Sequence, residues 1–360
     1  IGVLAPSKIT ISRIFEPFTK VSILTYLIKL KLLMKVIVKS FNTNIDFHKN
    51  TYFLNLYCIN NAFNKSSLSI EREKGMDLTL LSFGHGYTAR ALTPYLVNRG
   101  WKVFGTTRSK DKFSDIENSG AIPILWGSNE LRSIIKDTQI ILSSVSPKSN
   151  DDPVMQIYGA DIKDNSSQIK WAGYLSTTSV YGDTRGEWVD ESSPLKPSTK
   201  RGAARVMAEN KWLEQKSLPI HIFRLGGIYG PTRNPLQKVL QGKAAKIIKP
   251  GQVFNRIHVQ DIIQTLLASI SRPKPHSIYN LCDDNPAPPQ DIIAYAAKIL
   301  NVNEPPTIRF EDANLSEMAK SFYKENKRVS NQLIKTELGI KLMYPDFKAG
   351  LKNLLKEIEG

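Results

Sequence analysis

Several residue types and patterns are scarce in this 360-residue chain, and each scarcity excludes a class of protein. The two cysteines, Cys58 and Cys282, lie too far apart for a metal-binding or thiol-redox spacing. The five histidines show no zinc-ligand spacing, so the sequence predicts no metal site. Two distant cysteines also provide no disulfide framework, and nothing in the chain requires an oxidising compartment.

The sequence also lacks a long apolar segment without charged residues. The most apolar stretch, residues 21–38, is interrupted by Lys29, Lys31 and Lys35. A lysine near the centre of a membrane helix costs about 2.5–3.5 kcal/mol. No apolar region with a small-residue cleavage site, as in a secretory signal, follows the stretch. We therefore predict no membrane partner and a cytoplasmic location.

Acidic residues are scarce near the beginning of the chain. Residues 1–75 carry 11 Lys and Arg against 4 Asp and Glu, and they contribute disproportionately to the net charge of +16. This stretch is rich in Ile, Lys, Asn and Phe and reads unlike the rest. We expect it to be either an organelle presequence, which would direct import, or translated sequence upstream of a start at Met76. In both cases the folded part is predicted to begin at Met76.

A glycine turn stands between an apolar strand and an amphipathic helix in residues 77–100. It reads Gly84-x-Gly86-x-x-Ala89, the form of the dinucleotide-binding fingerprint. Gly84 permits the tight turn, Gly86 lets the backbone approach a pyrophosphate, and Ala89 lets the helix pack on the strand. A helix N-terminus also presents free N–H groups to an anion. The turn, with Tyr87 beside it, therefore predicts a nucleotide cofactor.

The next strand, residues 101–109, lacks the acid that NAD-selective proteins place at its end for the ribose 2′-hydroxyl. Thr107 and Arg108 stand there instead, and a hydroxyl with a guanidinium suits a 2′-phosphate. We predict a preference for NADP(H), with NAD(H) as the alternative if Arg108 is only a surface cation. Ser144, near the end of the predicted strand 138–146, is expected to complete the cofactor contacts.

Strands and helices continue to alternate, which indicates a parallel sheet covered on both faces. The expected strands are 121–127, 138–146, 169–180 and 219–227, and the expected helices lie near 130–137, 152–164, 200–217, 261–271, 289–300 and 345–358. The fold class is therefore α/β, a Rossmann-type doubly wound sheet with a smaller C-terminal α/β substrate domain. We place the nucleotide domain at 76–230 and the substrate domain at 231–360, with segments returning to the sheet near 255–282.

Six segments, in order along the chain, resemble the extended short-chain dehydrogenase/reductase family, the NAD-dependent epimerase/dehydratase group. They are SFGHGYTA, LSTTSVYG, VDESSPLKP, FRLGGIYGPTR, RIHVQDI and IYNLCDDNP. The resemblance covers about residues 76–290 and continues more loosely through KRVSN at 327–331. It implies a nicotinamide cofactor and a cleft beside the carboxyl ends of the strands.

The family's usual chemistry uses a Tyr-x-x-x-Lys pair on a helix, with a Ser or Thr that orients the substrate. The resemblance puts Thr177 at the Ser/Thr position, Arg201 at the Tyr position and Arg205 at the Lys position. Arginine keeps its proton in proteins, so Arg201 cannot act as a general base. The chain thus resembles an atypical subgroup in which Arg205, supported by Glu209 four residues on, serves the cofactor. Arg201 and Arg233 are then expected to bind a substrate anion.

Other side chains are candidates for the general base that Arg201 cannot provide. Tyr181 and Tyr229 lie in family segments beside the expected cleft, but neither has a cation four residues later. His258 titrates near neutrality when unperturbed, but we favour a buried structural histidine ahead of Asp261 as a helix N-cap. Asp190 and its neighbour Glu191 are expected to be solvated rather than catalytic.

Three functions remain open from the sequence. The first is an NADP(H)-dependent oxidoreductase or epimerase acting on a small, sugar-derived or anionic molecule, with a homodimer as a candidate assembly. The second is a cofactor-binding sensor or scaffold without turnover. RNA binding ranks last, because the predicted folded part lacks an arginine-rich segment or interleaved aromatic and basic residues.

Overall fold

A computed structural model of the protein describes residues 78–148 and 151–359, so the predictions for residues 1–75 lie outside the described residues. The strands are β1 (Thr79–Phe83), β2 (Lys102–Thr107), β3 (Ile122–Leu125), β4 (Ile140–Ser143), β5 (Trp171–Thr177), β6 (Trp188–Val189), β7 (Ile220–Leu225), β8 (Gly227–Tyr229), β9 (Lys246–Ile248), β10 (Arg256–His258), β11 (Ile278–Leu281), β12 (Thr307–Arg309) and β13 (Arg328–Val329). The α-helices are α1 (Tyr87–Val97), α2 (Phe113–Glu117), α3 (Asn129–Lys136), α4 (Pro153–Asp164), α5 (Lys200–Leu213), α6 (Pro235–Leu240), α7 (Val259–Ser271), α8 (Pro289–Ile299), α9 (Glu317–Tyr323), α10 (Gln332–Glu337) and α11 (Phe347–Glu359).

Seven strands form one parallel sheet in the order β3-β2-β1-β4-β5-β7-β11. The chain builds outward from β1 to β3, returns to the other side of β1 with β4, and then builds outward to β11. The neighbours β1 and β4 therefore flank the switch point, where the two following connections diverge and leave a crevice at the carboxyl ends of the strands. This topology confirms the predicted doubly wound, Rossmann-type fold.

The central strands are almost fully buried and mostly apolar because helices cover both faces of the sheet. In β4 all four residues are buried, and in β1 all but the first are. Leu81 on β1 lies opposite Ile141 on β4, and both belong to one apolar cluster with Tyr174 and Ile222. Such continuous apolar strands are typical of parallel sheets and differ from the alternating strands of sheets with one wet face.

Several predicted elements end earlier than expected, and two of them show how local contacts set the boundaries. The strand predicted for 169–180 ends at Thr177, because the Thr177 hydroxyl accepts a hydrogen bond from Ser179 N and starts a 3₁₀ turn. The helix predicted for 200–217 ends at Leu213, ahead of a short connection to β7. It begins where Thr199 caps it, with the hydroxyl accepting from Gly202 N at 3.1 Å.

The later part of the chain adds three short parallel ladders, β8 with β10, β9 with β12 and β6 with β13. A second apolar cluster joins α6, α8 and α11 through Leu236, Ile292 and Leu351. The chain then returns to the main sheet, where β11 pairs with β7. The described residues lie within one compact unit, Ile70–Gly360, and the boundary at 230 stays a prediction.

Among the described helices, none combines the length and the apolar character that crossing a membrane would require.

Candidate functional site

The glycine turn leaves β1 at the switch point and opens directly into α1. Gly84 has a φ of +75°, and a Cβ there would lie 3.1 Å from Val145 Cγ2 and 3.3 Å from Val145 N. Gly86 is the N-cap of α1, and a Cβ there would meet only Gly84 O within 4 Å. No side chain caps α1 and no acid lies in its first turn. The N-terminus of the helix therefore has no side-chain cap, and helix N-termini bind anions.

Three hydrogen bonds hold this turn between its neighbouring strands. Gly84 N donates to the Thr106 hydroxyl at 2.8 Å, and His85 N donates to Thr106 O at 3.0 Å. On the other side, the Ser144 hydroxyl donates to Gly84 O. Ser144, a predicted cofactor ligand, thus holds the turn in place from the end of β4.

His85, the residue between the two glycines, is a site feature that sequence reasoning missed. Its ring lies on β2 at Gly105, where a Cβ would come 2.5 Å from His85 Cγ. Its Nε2 lies 3.2 Å from the Thr93 hydroxyl and 3.3 Å from that of Ser119. Burial, helped by the charge of Arg90, lowers the pKa of His85 to about 4, so the ring is neutral. A glycine inside a strand pattern was the available signal for such a close approach.

The end of β2 presents the residues predicted to choose the cofactor. Thr107 is half-buried and Arg108 is exposed. Ser109 N donates to the Thr107 hydroxyl at 3.3 Å, and the Ser109 hydroxyl donates to Asp111 at 3.0 Å. Within the described part of the chain, no carboxylate forms an ion pair with Arg108, so its guanidinium is available to a ligand.

Arg205, at the position where the family resemblance expects lysine, binds the ends of two strands. Its Nη1 donates to Leu175 O at 2.8 Å and to the Tyr174 hydroxyl at 3.0 Å. Its Nη2 lies 3.3 Å from the Ser146 hydroxyl, just beyond β4. The guanidinium therefore ties α5 to the carboxyl ends of β4 and β5, where a Rossmann fold places the nicotinamide half of its cofactor.

The predicted support of Arg205 by Glu209 is wrong. Glu209 is 1% exposed and pairs with Arg224 on β7, with Nη2 and Oε2 2.7 Å apart. The Ser176 hydroxyl also donates to Glu209, and Arg224 Nη1 donates to the Tyr181 hydroxyl at 2.9 Å. Because Glu209 faces the sheet, it meets a cation supplied by a strand rather than the one a turn away on its own helix.

The two arginines predicted to bind substrate are exposed and contact different parts of the molecule. The guanidinium carbon of Arg201 lies 5.7 Å from the ring centre of Phe322, on α9. That of Arg233 lies 5.8 Å from the ring centre of Tyr87, whose hydroxyl donates to Pro231 O at 2.8 Å. Arg233 thus stands at the nucleotide turn, whereas Arg201 stands at the start of α5. Thr177 lies half-buried at the end of β5, where its hydroxyl accepts from Ser179 N.

Tyr174, Tyr181 and Tyr229 do not have the lowered pKa that a base requires. Burial raises the pKa of Tyr181 to about 12. Burial likewise raises the pKa values of Tyr174 and Tyr229 well above the ordinary range. These phenols therefore stay protonated at neutral pH and contribute hydrogen bonds rather than proton abstraction.

His258 has a structural position, but it differs from the expected one. Its own Nδ1 accepts from Gln260 N at 3.2 Å, so His258 and not Asp261 caps α7. Asp261, in the first turn of α7, accepts from Met343 N and Tyr344 N at 2.7 and 3.1 Å. Burial lowers the pKa of His258 to about 3, so it does not titrate near neutrality.

The acids that follow β6 differ from each other. Asp190 is exposed and accepts from Ser192 and Ser193. Glu191 is half-buried and accepts from Asn280 N, on the edge strand β11, at 2.7 Å. Across residues 78–148 and 151–359, no group of three metal-ligating side chains comes together.

Comparison with known proteins places this site in a family. No family model matches the chain. The solved structure of a functionally unknown conserved protein from Silicibacter pomeroyi DSS is 51% identical, covers 78% of this chain and 98% of that one, and has a TM-score of 0.75. The chain belongs to the family of this protein. Protein YeeZ of Escherichia coli K12 is 29% identical over 280 residues, which are 73% of this chain and 95% of YeeZ.

Other matches indicate the fold class. The dTDP-glucose 4,6-dehydratase of Bacillus anthracis, solved in complex with NAD, is 17% identical over 78% of this chain and 96% of its own, with a TM-score of 0.62. Human dTDP-D-glucose 4,6-dehydratase is 25% identical over 186 residues. Epimerases and dehydratases are thus among the relatives and structural neighbours, one of them solved with NAD, and the chain has the Rossmann-type fold of these structures.

Proposed function

We propose that this protein is an NADP(H)-dependent oxidoreductase or epimerase that acts on a small anionic molecule. The observation that carries the proposal is the uncapped N-terminus of α1, which opens at the switch point beyond Gly84 and Gly86. The relatives support a nicotinamide cofactor, and the reaction type and substrate are inferred from the residues of this chain.

The residues around the turn fit a dinucleotide. The pyrophosphate would accept from the first N–H groups of α1, and Arg233, beside Tyr87, would add a positive charge there. The 2′-phosphate would lie at the end of β2, against Thr107 and Arg108. When bound, the nicotinamide supplies hydride chemistry. Arg205 would hold the strand ends beneath it and offer any remaining N–H to the ribose.

The helix α5 separates this protein from a standard member of the group. Its two arginines replace the Tyr-x-x-x-Lys pair, and the nearby tyrosines and His258 stay neutral. Arg201 would therefore bind and orient an anionic group, because a guanidinium donates several hydrogen bonds and keeps its proton. Proton transfer must then come from the substrate, from water or from another side chain.

A cofactor titration tests the proposal. NADPH should bind about ten- to hundredfold more tightly than NADH, since a charge-assisted contact to a phosphate is worth about 1.5–3 kcal/mol. Arg108→Ala should remove the difference, and Lys110→Ala, which deletes another exposed cation after β2, should keep it. Both are followed by the fluorescence of the reduced nicotinamide. Equal affinities in the wild-type protein would contradict the assignment of Arg108.

A second candidate is a non-catalytic NADP(H) sensor, favoured by the loss of the Tyr-x-x-x-Lys pair. It predicts the same binding without hydride transfer. Purified protein loaded with NADPH and incubated with pooled small anionic carbonyl compounds should oxidise the cofactor if it is an oxidoreductase, or convert a compound to its epimer without net oxidation if it is an epimerase. Tight binding with neither change across the pool would favour the sensor.

A further inference from the structure

A buried lysine outside the six ordered family segments, at the start of the loosely matching KRVSN segment, lies close to where β7 and β11 end. Lys327, just before β13, is 6% exposed. Its carbonyl accepts from Asn255 Nδ2 at 3.0 Å, and Asn255 O accepts from Gly227 N at 2.8 Å. A Cβ on Gly226, directly after β7, would touch both Asn255 and Cys282 Sγ at 3.1 Å. Lys327 is thus anchored at the carboxyl edge of the sheet, on the side that carries α5.

The side chain of Lys327 is connected to the start of the arginine helix. Its Nζ lies 2.8 Å from Glu325 Oε2, and both side chains are 7% exposed. The other oxygen, Glu325 Oε1, accepts from the Ser198 hydroxyl at 2.8 Å. Ser198 precedes Thr199, the N-cap of α5. A chain of polar contacts therefore runs from Lys327 to the helix that carries Arg201.

Arg201 makes a second connection between the same two segments. It lies two residues into α5 and contacts Phe322, which is three residues before Glu325. The segment 322–327 and the first turn of α5 thus bring a buried cation and an exposed cation to one side of the strand ends. Two cations supplied by two adjoining segments suit a ligand with an anionic group.

The ammonium group of Lys327 is incompletely satisfied. Lysine carries three N–H donors, and within the described residues Glu325 is the acceptor found for Nζ. A buried charge with open donors is costly, because the lost hydration is not replaced. Lys327 neutralises the buried carboxylate of Glu325 with one of its three donors. The two remaining N–H donors can bind the oxygens of a ligand.

We propose that Lys327 is a substrate-binding residue that donates hydrogen bonds to a carboxylate or phosphate oxygen of the substrate, with Glu325 as its positioning residue. This inference rests on the proposed function, since it assigns the anion-binding side of the same cleft. It adds an anchor that lies outside the Tyr-x-x-x-Lys helix and assigns a role to the loosely matching KRVSN segment.

The probes are inorganic phosphate and malonate. Each is titrated by calorimetry into the full chain saturated with NADPH. Saturation occupies the nucleotide turn, so the remaining anion binding reports the substrate side. Lys327→Met should weaken that binding at least about tenfold, and Lys327→Arg should retain part of it. Lys324→Met, which removes an exposed lysine from the same segment, is the matched control and should bind like the wild type. Unchanged binding in Lys327→Met, or no anion binding by the wild-type protein, would overturn the proposal.

Lys327→Met leaves Glu325 buried without a cation and risks unfolding. The double variant Lys327→Met with Glu325→Gln removes both charges and should melt cooperatively while still losing the anion. A measurement on the wild-type chain needs no variant: phosphate should slow acetic anhydride labelling of Lys327, read by mass spectrometry, and leave Lys324 unaffected. Equal labelling of Lys327 with and without phosphate would overturn the proposal.

NADPH affinity, measured on the same samples, separates the two proposals. Anion binding lost only in the Lys327 variants, with NADPH affinity unchanged, supports the Lys327 site. NADPH binding without any anion site contradicts Lys327 and leaves the cofactor proposal standing. If NADPH does not bind, titration without cofactor still decides the Lys327 site, while the proposed function fails.

Discussion

The two sides of the switch point differ in the contacts that their polar groups make. On the side of β1 and β2, the glycine turn is held by backbone and hydroxyl contacts and leaves the N-terminus of α1 open. On the side of β5 and β7, charged side chains are already engaged, with Arg205 on the strand ends and Glu209 on Arg224. The first side thus leaves backbone N–H groups for a ligand, whereas the charged groups of the second side bind one another and the strands.

The largest expected effect concerns the side of β5 and β7, where Glu209 and Arg224 form a buried ion pair. Glu209→Ala leaves the guanidinium of Arg224 buried without its carboxylate, and breaking such a pair costs about 3–5 kcal/mol. Urea unfolding measures the free energy of unfolding. Glu214→Ala, which removes an exposed carboxylate at the end of the same helix, should change it by less than about 0.5 kcal/mol. A similar small loss in both variants would mean that this pair does not hold α5 to the sheet.

The next effect concerns the nucleotide side, through the buried His85. Its pKa is lowered from 6.5 to about 4 by burial and the charge of Arg90, so the unfolded chain binds a proton more readily. This contribution to stability is complete above pH 6.5 and falls between pH 6.5 and 4, by about 1.4 kcal/mol per pH unit at most. His85→Gln should reduce the pH slope of the unfolding free energy in that window.

His276, exposed and with a φ of +64°, provides the control for that slope. His276→Asn tolerates this backbone conformation and should leave the pH slope as it is in the wild type. If His85→Gln and the wild-type protein show the same slope between pH 4 and 6.5, His85 is not held neutral in the folded state.

The smallest effect compares the two arginines of α5 directly. Arg205→Ala removes the contacts to Leu175 O, Tyr174 and Ser146, and should weaken NADPH binding about tenfold, the value of one charge-assisted hydrogen bond. Arg201→Ala, which deletes an exposed guanidinium against Phe322, should leave NADPH affinity unchanged. Fluorescence titration of the two variants checks this. The reverse order would show that the positions were assigned the wrong way round.

Much of the nucleotide side was predictable because its signals are local. A strand, two glycines and a helix follow one another within 24 residues, and their conformations depend mainly on neighbours in the sequence. Gly84, Gly86 and Ala89 stand in the structure where the fingerprint predicted them. The alternation of strands and helices likewise predicted the parallel sheet, because buried parallel strands must be apolar throughout.

The partners of buried polar side chains were not predictable in the same way. Spacing along α5 paired Glu209 with Arg205, but the carboxylate faces β7 and binds Arg224. The order of residues likewise suggested Asp261 as the cap of α7, whereas Asp261 binds Met343 and Tyr344 from a distant segment and His258 takes the cap. In both cases the residues that bind the carboxylate, Arg224 for Glu209 and Met343 with Tyr344 for Asp261, lie far from it along the chain.

The sequence by itself therefore determined the order of strands and helices and the glycine turn, while the assignment of Arg201 and Arg205 to the Tyr-x-x-x-Lys positions stays a prediction. Only the tertiary structure decided which buried polar groups meet: Arg224 with Glu209, and Glu325 with Ser198. The physical reason is that backbone conformation follows from neighbouring residues, whereas a buried charge must find its counter-charge among whatever groups the packing of strands and helices brings within hydrogen-bond distance.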